Sequence, residues 1–147
     1  MDNFLEKLIS YLSVHNVAPA LIQASDVDRE KSYLFDLPGD KDDPDDVFVF
    51  NNYHTSHASA TAKNVGIKYV QVIVRASSQQ NAHLRIFTLY KFLLEQSDVD
   101  QVDGNIRYLD SDTWVIFDCN QGPIKIEIDE QGRHIWGLSF PVKTNLF

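Results

Sequence analysis

The chain has 147 residues, 44% of them apolar, and a formal net charge of −8. That length suits a single domain with one core, and no run reaches the roughly 20 apolar residues of a membrane helix. An acidic chain without a basic cluster lacks the lysines and arginines that neutralise phosphate, which supply most of the affinity for nucleic acid.

Asp2 and Glu6 stand where a secretory signal would be basic, so no signal peptide is expected. Cys119 is the single cysteine, which excludes an intrachain disulfide and a cysteine-based metal site. An intracellular folding compartment is the default expectation.

Residues 2–15 read as a helix. Phe4, Leu5, Leu8, Ile9 and Leu12 fall at three- and four-residue spacing, and Asn16 and Pro19 end it. Residues 21–31 are polar and carry no clear period, and 32–37 suit a short strand. Residues 37–46 hold Pro38, Gly39 and Pro44 among aspartates and read as a loop. Asp36, Asp40, Asp42, Asp43, Asp45 and Asp46 against Lys41 place −5 of the net charge between 36 and 46. A strand is expected over 47–53. Residues 54–66 are polar, small and without period, and read as a long loop.

Residues 69–75 form a β-branched strand with apolar residues on both faces, as a central strand has. Ser77 with Gln80 matches a capping box for the helix that follows. That helix presents Ala82, Ile86, Leu89, Tyr90, Leu93 and Leu94 on one face. Leu84 and Phe92 fall off it, either beneath the first helix or against a neighbouring subunit. After a break at 98–104 come strands at 106–109, 114–119 and 124–129. In the last, Ile124, Ile126 and Ile128 alternate with Lys125, Glu127 and Asp129, which predicts one buried and one wet face. Gly132 in a Glu-Gln-Gly turn leads into a strand over 133–143 with Trp136, Leu138, Phe140 and Val142 on one face. The order gives an α+β fold: a mostly antiparallel or mixed β-sheet with an N-terminal and a central helix packed on it.

Catalytic patterns fail one by one. His54 and His57 form His-x-x-His, but in a Ser/Ala/Thr segment with no carboxylate ligand nearby, so solvated histidines are expected rather than a metal site. The aspartates lack the register of a calcium loop, which leaves an exposed acidic loop as the expectation. A Pro-Asp nuclease motif needs a carboxylate two residues before a lysine, and none of the eight lysines has one. There is no Gly-x-Ser-x-Gly and no glycine-rich phosphate loop. Cys119 ends an apolar strand, where a thiol is normally buried and inert.

The remaining pattern carries a resemblance. Leu37-Pro38 and Pro44-Asp45 precede the strand beginning at Val47; Tyr69-Val70-Gln71-Val72-Ile73-Val74-Arg75 turns directly into a helix with Ala82 near its start; and Asp129-Glu130-Gln131-Gly132-Arg133 leads into an alternating aromatic strand. This resembles the minor capsid and tail-terminator families of long-tailed bacteriophages, over most of the chain from the first helix to Val142. The chain departs from the family at Asn51-Asn52, where a glycine pair is usual.

The resemblance implies an α+β sheet with helices on one side and no enzymatic activity or cofactor. It implies a hexameric ring of identical subunits in the virion that caps the tail tube, stops its growth and offers a surface to the head connector. The expected partners are therefore a second copy, the major tail tube protein and the head connector, with no membrane. Asp40, Asp42, Asp43, Asp45, Asp46, His54 and His57 are the expected interface or lumen residues, and Leu84 and Phe92 the expected subunit contact. An acidic lumen would repel DNA over about a Debye length, roughly 8–10 Å. The alternatives are another neck component, such as a head-closure or tail-completion protein, or a small metal-dependent hydrolase using Asp42, Asp43, Asp45 and Asp46 with His54 and His57.

Overall fold

A computed structural model describes residues 4–19, 31–34, 45–57, 65–96 and 106–146. Among the described residues, two helices and seven strands follow the order α1 (Phe4–Val14), β1 (Lys31–Leu34), β2 (Val47–His57), β3 (Gly66–Ala76), α2 (Gln79–Gln96), β4 (Arg107–Tyr108), β5 (Trp114–Phe117), β6 (Ile124–Ile128) and β7 (His134–Thr144). The fold is α+β. One sheet runs β1-β2-β3-β7-β5-β4, with β6 paired to the other half of β7. Every pairing is antiparallel except β1 with β2.

β3 and β7 are the long central pair, matched residue for residue from Gly66↔Thr144 to Ala76↔His134. Their period-two pattern turns Val70, Val72, Val74, Leu138, Phe140 and Val142 to one face, joined there by Phe48, Phe50, Val115 and Phe117. Both helices cover that face: α1 buries Phe4, Leu5, Leu8, Ile9 and Leu12, and α2 buries Ala82, Ile86, Leu89 and Leu93. Fully burying one such side chain stabilises by about 1.5–3 kcal/mol, so this face dominates the fold. Lys68 is also buried on it, with its Nζ 5.5 Å from the centre of the Phe4 ring.

α1 closes as a Schellman motif. Asn16 takes the left-handed conformation at φ 60, and its N–H and that of Val17 donate to Ser13 O and Leu12 O at 3.0 and 3.1 Å. The cap of α2 lies one residue later than the Ser77–Gln80 spacing predicts. Ser78 Oγ accepts from the Asn81 amide at 3.2 Å, while the Ser77 amide turns away to Asp46 Oδ1.

Three further expectations change. Residues 54–57, read as the start of a loop, extend β2 past a bulge at Tyr53, because the first residues of β3 reach out to pair with them. On α2, Leu94 is 40% exposed rather than facing the core. The largest change is in β6, whose predicted buried face is absent: Ile124, Ile126 and Ile128 are 66%, 45% and 51% exposed.

Ile124, opposite Gly137, lies on the face that neither helix covers, and a bulge at Ile126, where Lys125 pairs with Trp136 but Glu127 with Ile135, turns Ile128 beside His134 to the other face. Gly137 makes room for this, since a Cβ there would stand 2.9 Å from Ile126 Cδ1. Residues 20–30, 35–44, 58–64 and 97–105 hold the readings of an acidic loop, of the end of the strand expected over 32–37, of the rest of the long loop and of the break; all lie outside the described residues.

Candidate functional site

The three segments that carry the resemblance meet at one end of the sheet. β2 begins there, β3 ends there and turns into α2, and the β6–β7 hairpin begins β7 there, with Val47↔Arg75↔Ile135 forming one row. Arg75 and Arg133 are both buried, at 1% and 2% exposed.

Guanidinium groups stay charged and must be paired where water is excluded. Arg133 donates through Nε to Asp129 Oδ2 at 2.7 Å and through Nη2 to Gln131 Oε1 at 3.1 Å, and its Nη1 lies 3.8 Å from Asp45 Oδ1. Arg75 Nε reaches the Asp45 carbonyl at 3.5 Å. Asp46 Oδ1 accepts from the Ser77 amide at 3.2 Å and lies 2.8 Å from Arg85 Nη1 on α2. Three arginines and three aspartates thus fasten four chain segments together.

Asp129 is the hub of the hairpin. Its Oδ1 accepts the amides of Gln131 and Arg133 at 3.0 and 2.9 Å, while Gly132, at φ 77, closes the turn. Burial pushes its carboxyl up, but the Arg133 amide, the Arg133 guanidinium and the Gln131 amide together hold it below the ordinary aspartate value. A carboxylate held down in this way is a poor base. The chemistry of the cluster is that of a clamp.

The predicted site residues therefore separate. Asp40, Asp42 and Asp43 lie outside the described residues. Asp45 and Asp46, read as members of an exposed acidic loop, are paired with arginines. His54 is exposed on β2 with its ring 5.3 Å from that of Tyr69, and His57 ends the same strand. Seven strand residues lie between Asp46 and His54, eight steps or about 25 Å at the usual rise, so the carboxylate and imidazole set of the hydrolase alternative does not come together at these positions. Among the described residues, no three His, Cys, Asp or Glu side chains gather as metal ligands. Cys119 is buried, and burial, with Asp118 beside it, pushes its thiol up to about 11, so it holds little thiolate at neutral pH.

Of the two expected subunit contacts, Phe92 is covered within the subunit, its ring 6.0 Å from Tyr11 and 5.2 Å from His15 of the first helix. Leu84 remains 63% exposed. Sequence reasoning missed Arg85 and the burial of Arg133. The Asp-Glu-Gln-Gly-Arg run did contain the signal, because a carboxylate four residues before an arginine across a tight turn sets up such a pair. No protein-family model and no curated protein sequence matches the chain.

Proposed function

We propose that this chain is a phage tail terminator, or head–tail joining protein. In this reading a ring of six identical copies caps the tail tube, stops its polymerisation and forms the docking surface for the head connector. The observation that carries the proposal is the convergence of three motif segments: the entry to β2 at Asp45, the β3–Arg75–α2 unit and the Asp129–Arg133 hairpin are fastened to one another by Asp45, Arg75 and Arg133. Residues scattered over the sequence at the resemblance's positions thereby acquire a shared structural reason. The α+β sheet with both helices on one face is the architecture that the resemblance implies.

In this role the protein works by assembly rather than catalysis, in the virion, with the tail tube protein and head connector as partners. The −8 charge suits a ring through which DNA slides without being held. With Asp45 and Asp46 engaged by arginines, the lumen charge would fall to Asp40, Asp42 and Asp43. The test is a reconstruction of the head-proximal end of tails from particles that carry this protein, together with tail lengths when the chain is not made. Six copies at the tube end, and tubes of uncontrolled length without the chain, are expected. Absence from the tail end would overturn the proposal. Copies at the head vertex, with normal tail length in their absence, would assign another neck role.

A further inference from the structure

Two strands share the outer edge of β7 and are held differently. β5 pairs with Val142 to Thr144 and buries Val115 and Phe117 in the core. β6 pairs with His134 to Gly137, and each of its five residues is exposed. The sheet holds β6 through β7 alone, and the bulge at Ile126 interrupts that pairing. An element that buries no side chain and hangs on an interrupted ladder opens at a free energy well below that of the whole fold.

Two unsatisfied polar atoms lie at the same junction. Trp136 Nε1 and His134 Nδ1 are buried, and neither has a hydrogen-bond partner in the protein. Both belong to β7 residues set directly opposite β6, Trp136 across from Lys125 and His134 across from Ile128. The indole also packs on α2, with its ring 5.4 Å from that of His83 and 6.0 Å from that of Phe87. A buried polar atom without a partner carries its full desolvation cost, and that cost ends when water reaches the atom.

A side-chain contact fastens the strand over this spot. Lys125 Nζ donates to Gln79 Oε1 in the first turn of α2 at 2.8 Å, so the lysine reaches from β6 to the helix. The turn after β6 is fixed more firmly. The Asp129 amide donates to Arg133 O at 2.9 Å, and the Asp129 carboxylate accepts from Arg133 Nε. The connection before β6 is looser, with Asn120, Gln121 and Gly122 all exposed.

We propose that β6 is a strap that opens as a local unit. It swings about the Asp129–Arg133 turn when the Lys125–Gln79 clasp releases, hydrating Trp136 Nε1 and His134 Nδ1 and baring the edge of β7 from His134 to Gly137. The helices and the other strands stay folded. The bared backbone donors and acceptors form an edge of the kind to which an extended chain adds, and the closed strap withholds it. The device does not depend on the phage reading.

The test is hydrogen exchange of the full chain, read amide by amide by NMR over a series of low urea concentrations. The β6 amides that bond to β7 should exchange at least about tenfold faster than those joining β3 to β7, with little dependence on urea. Lys125→Met, an exposed change that removes the clasp, should speed β6 exchange severalfold and leave β3 as it was. Trp136→Phe removes a nitrogen that only opening hydrates, so β6 exchange should slow severalfold relative to β3. A single rate and urea dependence for β6 and β3 would overturn the proposal, as would a Lys125→Met effect that is absent or spread evenly over the sheet. Unchanged or faster β6 exchange in Trp136→Phe would also overturn it, leaving an edge strand that merely frays.

Discussion

Replacing Arg133 with methionine keeps the buried stem and removes the guanidinium. Asp129 then loses the 2.7 Å bond from Nε and its counter-charge but keeps the amides of Gln131 and Arg133. Breaking a buried ion pair from one side costs about 3–5 kcal/mol. Arg133 is 2% exposed but the Asp129 side chain is 16% exposed, so water takes up part of the loss and the lower end, about 3 kcal/mol, is expected. Against the 5–15 kcal/mol that typically separates folded from unfolded, that is large. At about 2–4 °C per kcal/mol it lowers Tm by about 6–12 °C.

Urea unfolding with linear extrapolation measures the cost. Asp129→Asn should be destabilising too, and the double variant should cost clearly less than the two singles together, because both remove one interaction. A cost for Arg133→Met below about 1 kcal/mol, or additivity in the cycle, would refute the clamp. The sign with pH follows from the lowered carboxyl of Asp129. Its share of stability is present above the unfolded carboxyl value, about 3.9, and is lost as pH falls through the folded value below it.

Asp110 gives an independent acid-sensitive contact. The Lys7 ammonium 2.5 Å away, with the amides of Asp112 and Thr113, lowers its carboxyl from 3.8 to about 2. Tm should therefore fall more steeply between those two pH values in the wild type than in Asp110→Asn, and parallel curves would refute the assignment. Two glycines should differ in cost. Gly132→Ala forces a side chain into the left-handed region at φ 77 and should cost roughly 1–2 kcal/mol. Gly137→Ala meets only the tip of an exposed isoleucine and recovers backbone entropy, so under about 1 kcal/mol is expected. The reverse order in urea titrations would contradict both readings.

The helices and the central strands were legible because their periods are long and clean. Phe4 to Leu12 marks one helical face, and the alternating valines of β3 match the alternating apolar residues of β7. The far end of β2 was hidden because His54 to His57 is polar; those residues are in the sheet because β3 pairs with them, a property of the partner and not of the segment. β6 misled for a related reason. Its alternation is among the clearest in the chain, but alternation does not say whether anything covers the face it marks: Ile124 lies on the side of the sheet away from both helices, and the extra residue at Ile126 turns Ile128 to the other side, where it is still half exposed. At the ionic cluster the Asp129–Arg133 pair carried a local signal in its spacing across the turn, whereas its meeting with Asp45 and Arg75 did not, since those residues lie far apart in the chain and no local pattern announces that three strand ends coincide. Helical spacing placed Leu84 and Phe92 off the main face of α2, whereas which of them α1 covers depends on where that helix lies across the sheet.

The pairing of β3 with β7 also fixes when this protein can acquire structure during synthesis. The two strands at the centre of the sheet are made nearly sixty residues apart, so until β7 is made β3 can pair only along its β2 edge. Closing that long loop is entropically costly and slow compared with forming a local helix. A nascent chain that stalls before His134 carries β3 with one edge unpaired, a species that other chains can pair with, so a low chain concentration during synthesis favours the correct partner for that edge.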